Sequence, residues 1–319
     1  MICFDRMKLS IPKEYIINVD YDKFRDLSEK ENIIYHKYEI KSPYKLTIII
    51  RPNELVIEFS SKILLDKYID LINKNNIHDC FYNINKLGLI NLDIDKILID
   101  SKVLSCDITK DFKASLADIK QYIILNTIDR LNWTLTTPKK TNNIILENNV
   151  MTKCYKKRIT FYDKNKEILS APNKEFLNLL QDQQKVLDYF SENNVRIECN
   201  IKTEKQIRNM LNIKENQLLD VLNTEENPLQ TILNEAVRNV NDIDFNSTNN
   251  ITGLKENEKL AIIEKCGYDM LAVEQFIKTI IPPTTPLART LEPYYKVFDK
   301  LKRNDMPKID LHKLVYQEK

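Results

Sequence analysis

The chain has 319 residues, 43% of them hydrophobic and 29% charged, a length open to one large domain or two and a composition of ordinary globular type. Its most apolar short runs, residues 46–50 and 122–125, fall far below the roughly 18 residues that cross a bilayer, so no membrane span is expected. Lys and Arg number 48 against 46 Asp and Glu, a net charge of +2, so any nucleic-acid surface must come from local segregation of charge.

Along the chain, residues 45–50 and 55–59 read as strands joined by a hairpin turn at Pro52 and Asn53. Ser61 then caps an amphipathic stretch in which Leu64, Leu65, Tyr68, Leu71 and Ile72 recur at helical spacing, which predicts a helix over 62–74. Residues 103–112 alternate like a strand, and 114–126 return to helical spacing through Leu116, Ile119, Tyr122 and Ile123. Short strands are expected at 133–136 and 144–147 and stronger ones at 157–162 and 195–202, with a helix over 174–191 between the last two. After Thr203 the strand pattern ends and capped helices take over: Thr203 with Gln206, Asn227 before Pro228, Asp269 before Met270. The Asn-rich stretch 241–252 is the expected linker, the prolines of 282–286 stiffen a second connection, and no internal repeat is evident. The expected architecture is α+β: an antiparallel sheet packed on helices over 1–203, then an all-helical region over 204–319.

The three glycines, Gly88, Gly253 and Gly267, stand in no phosphate-cradling pattern, which excludes P-loop and dinucleotide-binding chemistry. Six cysteines without paired spacing read as reduced thiols with no zinc site, and the chain start carries no leader pattern; both point to a cytoplasmic protein.

Alternate strand residues face the same side, so each strong strand divides into an apolar and a polar face. The polar faces are Ser105, Asp107, Thr109 and Asp111; Arg158, Thr160, Tyr162 and Lys164; Arg196, Glu198, Asn200 and Lys202. On one sheet, these faces would gather carboxylates, a phenol and cations. That mixture suits phosphodiester chemistry, in which carboxylates hold a divalent cation and an oxygen nucleophile attacks phosphorus. Tyr162 can be that nucleophile if a cation or Arg158 and Lys164 favour its phenolate. On pattern alone, a solvated sheet face laced with cross-strand ion pairs, common in antiparallel sheets, is the better reading.

At these residues the chain resembles phage and plasmid rolling-circle replication initiators, the filamentous-phage type and related plasmid Rep proteins with an Arg-x-Glu block. The similar blocks are 104–111, with Asp107 and Asp111; 158–167, with Arg158 and Tyr162; and 195–202, with Arg196, Glu198 and Lys202. Residues 1–12 and 55–62 are also similar, so the resemblance covers about the first 210 residues. It implies a tyrosine endonuclease and strand transferase that nicks DNA, keeps the 5′ end as a phosphotyrosine and leaves a 3′-hydroxyl for a polymerase. By position, Tyr162 would be the nucleophile; Asp107, Glu198 and Asp111 the ligands of Mg²⁺ or Mn²⁺; and Arg158, Lys164, Arg196, Lys202 and Lys157 the DNA contacts. DNA in a bacterial host cell, with a host helicase or polymerase, would be the partners. The pattern departs from the wider superfamily in lacking a His-hydrophobic-His motif: His36, His78 and His312 are isolated and read as surface or loop residues, so acidic residues replace the imidazoles or catalysis is lost. The rival readings are a non-catalytic DNA-binding protein of the same fold and a phage structural or interaction protein.

Among the remaining signals, the basic run 153–158 with Tyr155 can track a DNA backbone or edge a solvated loop. Residues 256–281 have helix-turn-helix spacing, but with Lys278 as the one cation of the second helix, helix-on-helix packing is the better reading. Trp133 and Tyr122 read as core aromatics.

Overall fold

In the computed structural model the described residues form twelve strands: β1 (Phe4–Pro12), β2 (Ile16–Val19), β3 (Arg25–Ser28), β4 (Ile34–Ile40), β5 (Leu46–Ile50), β6 (Glu54–Ser60), β7 (Ile90–Leu92), β8 (Lys102–Lys113), β9 (Trp133–Thr136), β10 (Ile144–Asn148), β11 (Arg158–Asp163) and β12 (Asn194–Ile201). The structure describes residues 2–28, 34–128, 132–138, 141–149, 157–237, 254–266, 269–301 and 309–316. The expected linker 241–252 and most of the basic run 153–158 lie outside them. Ten strands form one antiparallel sheet in the order β3-β4-β5-β6-β1-β8-β12-β11-β10-β9, and β2 pairs with β7 apart from it. The protein is therefore α+β, as its sequence pattern predicts.

The strand order contains a repeat that the sequence pattern does not announce. Outward from the central pair, one half runs β1-β6-β5-β4-β3 and the other β8-β12-β11-β10-β9, the same sequence of elements about a two-fold between β1 and β8. The halves differ where it matters for the site. In the first, β5 and β6 are joined by a tight turn; in the second, β11 and β12 are separated by the helices α4 (Lys164–Ile168), α5 (Lys174–Leu179) and α6 (Gln183–Tyr189), counted after α1 (Ile77–Lys86), α2 (Ile94–Asp100) and α3 (Leu116–Asn126).

One face of the sheet is apolar and packs on helices. Met7, Leu9, Ile11, Cys106, Ile108, Phe161, Ile197 and Ile201 are all at most 1% exposed and belong to one core with residues of α1 to α3. The same core takes in the apolar sides of α7 (Glu204–Leu211), α8 (Leu218–Asn223) and α9 (Pro228–Ala236). Thr203, Asn227 and Asp269 all make their expected cap bonds. The change of character at residue 204 thus marks a change of secondary structure within one core. A separate small core begins with α10 (Leu254–Lys265), α11 (Met270–Ile280) and α12 (Leu287–Leu301), where Ile263, Val273, Ile277, Leu291 and Phe298 are buried against one another; α13 (Leu311–Tyr316) returns to the sheet core. Helix-on-helix packing is what the 256–281 pair does, and Lys278 pairs with Glu274 of its own helix. Tyr122 and Trp133 are buried, as expected.

Three details differ from expectation. The predicted helix over 62–74 is a 3-10 segment, Ser61–Asp70, broken at Leu65, whose φ of 54° is non-helical; the Ser61 hydroxyl does not cap it but donates to Asp5 Oδ1 at 2.6 Å. The helix over 174–191 is two, because the chain turns at Leu180 and restarts at Gln183 with Asp182 as its cap. His312 is not at the surface: it is 2% exposed, with Nε2 3.0 Å from the Val237 carbonyl.

Candidate active site

The register of the central strands puts the sequence-predicted residues on one face. Tyr162 of β11 stands opposite Arg196 of β12, which stands opposite Asp111 of β8; Thr160, Glu198 and Thr109 form the next row, and Asn200 and Asp107 the next. Cross-strand partners and residues two apart share a face, so Asp107, Asp111, Tyr162, Arg196 and Glu198 lie together on the side away from the main core. Arg158 is on the same face but exposed, Lys202 is exposed just past β12, and Lys157 pairs with Glu235 of α9. These three cations stand apart from the tyrosine.

The middle of this face is not open to solvent. The segment α4 to α6 that distinguishes the second half folds back over it, and Phe176, Phe190 and Ile168 join Tyr68 in a small core of their own. Tyr68 and Phe190 lie with ring centroids 5.7 and 5.6 Å from the Arg196 guanidinium, and Tyr68 and Phe176 meet edge to face at 5.0 Å. Arg196 and the Asp111 side chain are both 0% exposed. A solvated ion-paired sheet is thereby ruled out at the centre of the face: the charges are paired under cover.

Arg196 donates through Nε and Nη2 to the two oxygens of Asp111, at 2.6 and 2.9 Å, and through Nη1 to Asp5 at 2.8 Å. Asp5 arrives there by a bulge. In β1, Phe4 pairs with Ile108 and Arg6 with Asp107, so Asp5 is the extra residue, and both it and Arg6 serve the polar face. Arg6 in turn donates to both oxygens of Asp107, at 2.7 and 3.1 Å, and to Glu58 at 2.5 Å. Lys164, 2% exposed, pairs with Glu167. Burial alone would raise the Asp5 carboxyl, but Arg196, Lys164 and the Ser61 hydroxyl hold it well below the usual carboxylate range. Burial and Arg196 push the Lys164 ammonium down, yet Tyr68, Glu167 and Asp5 outweigh them and keep it protonated.

Glu198 is the exception. Among the described residues it has no cation in ion-pair contact; its Oε1 accepts a 2.5 Å hydrogen bond from the Tyr162 hydroxyl. Burial, with Asp5 and Asp107 nearby, lifts its carboxyl to about 7 against the opposing pull of Arg196 and the Tyr162 bond. Burial also pushes the Tyr162 phenol well above its usual value, and Glu198, Asp5 and Glu167 add to it. The pair is a half-buried phenol donating to a carboxylate whose affinity for a proton is matched to neutral pH.

A raised carboxyl has a consequence for stability. Between about pH 4.5 and 7 the folded protein holds a proton on Glu198 that the unfolded chain releases, so this group's contribution falls as pH rises through that window. Glu198→Gln has no charge to bury. Its melting temperature is expected to gain on the wild type between pH 5 and 8, measured by thermal unfolding in steps of pH; parallel curves would show Glu198 ionised as in water.

The divalent-cation expectation can be tested on the donors. Asp107 and Asp111 each turn both oxygens to an arginine, and only Glu198 lacks one. Among the described residues no group of three His, Cys, Asp or Glu side chains is placed to hold a metal. As arranged, Asp107, Asp111 and Glu198 form three separate pairs with Arg6, Arg196 and Tyr162 and do not fit a shared Mg²⁺ or Mn²⁺. His36 bonds Asp26 at 2.7 Å and His78 is exposed on α1, so neither supplies a ligand there.

Sequence reasoning passed over Asp5, Arg6, Tyr68 and Glu167. For the first two a signal exists: the apolar alternation Met7, Leu9, Ile11 breaks before Phe4, which leaves Asp5 and Arg6 consecutive on one face. Tyr68 and Glu167 carry none, because their place depends on how the segments after β6 and β11 fold across the sheet. Comparison with protein-family models, curated proteins and solved structures finds no match for the chain.

Proposed function

We propose that the protein is a tyrosine-dependent DNA strand transferase of the replication-initiator kind, with Tyr162 as nucleophile and Glu198 as the group that takes its proton. The observation that carries this reading is the short hydrogen bond from Tyr162 to Glu198 in a covered, charge-rich site. The Tyr162 oxygen attacks a backbone phosphorus, the phenol proton passes to Glu198, and the bond from phosphorus to the 3′ oxygen breaks. The products are a 5′-phosphotyrosine and, with a proton from water, a 3′-hydroxyl. A phenol this reluctant to ionise gains from a base at hydrogen-bond distance, and a carboxylate near 7 can both take and release a proton at cellular pH. In this reading Arg158 and Lys202, both exposed and apart from the tyrosine, would meet the DNA backbone away from the bond that is cut. Arg196, Lys164 and Asp111 form the floor that sets the field at the tyrosine.

The test is incubation with supercoiled and single-stranded DNA, in Mn²⁺, in Mg²⁺ and in EDTA, followed by denaturing electrophoresis for covalent adducts and nicked circles. An adduct that maps to Tyr162 is the expected result, and none under any condition overturns the reading. A second reading, a DNA-binding protein of the same fold without catalysis, is favoured by the arginines on Asp107 and Asp111, and predicts retarded DNA with no adduct.

A further inference from the structure

A groove of about 630 Å³, within the size class of ligand sites, opens on the polar face between the first half of the sheet and the segment that follows β11. One wall is the first half of the sheet, with Arg6, Glu58 and Thr47; the other is the chain leaving Tyr162, from Glu167 through Asn173. Its rim is the turn between β4 and β5, which carries Lys41 and Lys45, both exposed.

The carboxylates of this groove are largely spoken for: Glu58 by Arg6, Glu167 by Lys164, Glu39 by Lys37. Its lysines are not. Among the described residues Lys41, Lys45 and Lys62 have no carboxylate within ion-pair distance, and Lys62 is 5% exposed with only the Asn173 amide oxygen, 2.5 Å away, and the Phe176 ring for partners. Burial, with Lys45 and Lys164 near, lowers the Lys62 ammonium to about 8 against the weaker opposing pull of Glu167 and Asp5. A buried cation with no carboxylate in contact costs stability that an apolar side chain would not, and an incoming anion would relieve it. The groove thus offers three cations without a carboxylate in contact, two at its rim and one buried in its wall.

We infer that this groove is a phosphate-binding subsite that takes the backbone of the single strand a few nucleotides from the bond Tyr162 attacks, with Lys41, Lys45 and Lys62 as its cations; this rests on the strand-transferase reading. From β11, which carries Tyr162, to β6 is four strand spacings, roughly 19 Å, so the subsite holds flanking phosphates and not the scissile one. It supplies affinity and register, while the chemistry stays at Tyr162 and Glu198.

The test measures binding apart from chemistry. Affinity of the full chain carrying Tyr162→Phe for a labelled oligothymidylate of about 16 nucleotides is followed against salt, with deoxythymidine monophosphate as the single-phosphate arm. Adding Lys41→Gln and Lys45→Asn, the latter suited to the left-handed φ of 52° at that position, is expected to weaken the oligonucleotide about 10- to 30-fold at 0.1 M salt and to flatten the logarithmic salt slope by about 1.4, the yield of two single-strand phosphate contacts. Lys62→Met is expected to weaken binding while raising the melting temperature; a purely structural lysine would do the reverse. Unchanged affinity and slope, or equal affinity for monophosphate and oligonucleotide, overturns the inference. Adduct formation by the wild type, scored separately, tells the two readings apart: adduct with unchanged slopes removes the groove alone, and a flattened slope without adduct removes the transferase alone.

Discussion

Arg196→Met is expected to lose about 3–5 kcal/mol of stability, the scale for breaking a buried ion pair from one side, and about 10 °C in melting temperature. The guanidinium has no exposed surface and holds Asp111 with two bonds and Asp5 with one, so its removal strands two carboxylates beneath Tyr68 and Phe190. The sign with pH follows from Asp5. In the wild type its carboxyl lies below the unfolded value, so its contribution is present above about pH 4 and is lost as pH falls. Without Arg196 burial is opposed by Lys164, Ser61 and Lys45 alone, and the Asp5 carboxyl rises. The gap between wild type and variant should therefore be widest near neutrality and narrow as pH approaches 4. Thermal unfolding of both proteins over that range measures it. A variant as stable as wild type at pH 7 would mean that Arg196 faces solvent, as a DNA contact would.

The same residue shows how far the sequence could be read. Alternation alone is enough to place Arg196, Glu198, Tyr162, Asp107 and Asp111 on one face, because a strand's period of two is local and the register of β8, β12 and β11 keeps it. The hairpin at Pro52 is local in the same sense, and the strands flanking it pair as the turn requires. What alternation cannot carry is what lies on top. The break of the 174–191 helix at Leu180 and the kink at Leu65 let two short segments, distant in sequence, meet over the sheet as Tyr68, Phe176 and Phe190. That meeting turns a face that reads as solvated into a covered one, and it changes Arg196 from a phosphate contact into a buried partner of Asp111. The bulge at Asp5 acts likewise: one extra residue in β1 delivers the second carboxylate. The two-fold arrangement of strands is invisible to pattern reading because the halves share topology without shared residues.

Tyr162→Phe is expected to abolish covalent adduct formation, by more than about 10³-fold, while DNA affinity stays within about twofold, because only the attacking oxygen is removed. Its cost in stability is expected to be small, about 1 kcal/mol, for a specific reason. The Tyr162 bond favours the ionised form of Glu198; without it the carboxyl, already lifted to about 7 by burial, rises further and is protonated near neutrality, so no bare charge is left behind. The wild-type rate of adduct formation should increase with pH through about 7 as Glu198 loses its proton, and Glu198→Gln should erase that inflection as well as lower the rate. Two neighbours sharpen the experiment. Tyr68→Phe changes the other phenol near Arg196, one that is 1% exposed and out of reach of a DNA strand, and should keep the adduct. Tyr155 lies outside the described residues, so an adduct that survives in Tyr162→Phe and maps by peptide mass to Tyr155 would move the nucleophile there and leave the Tyr162–Glu198 pair a structural bond.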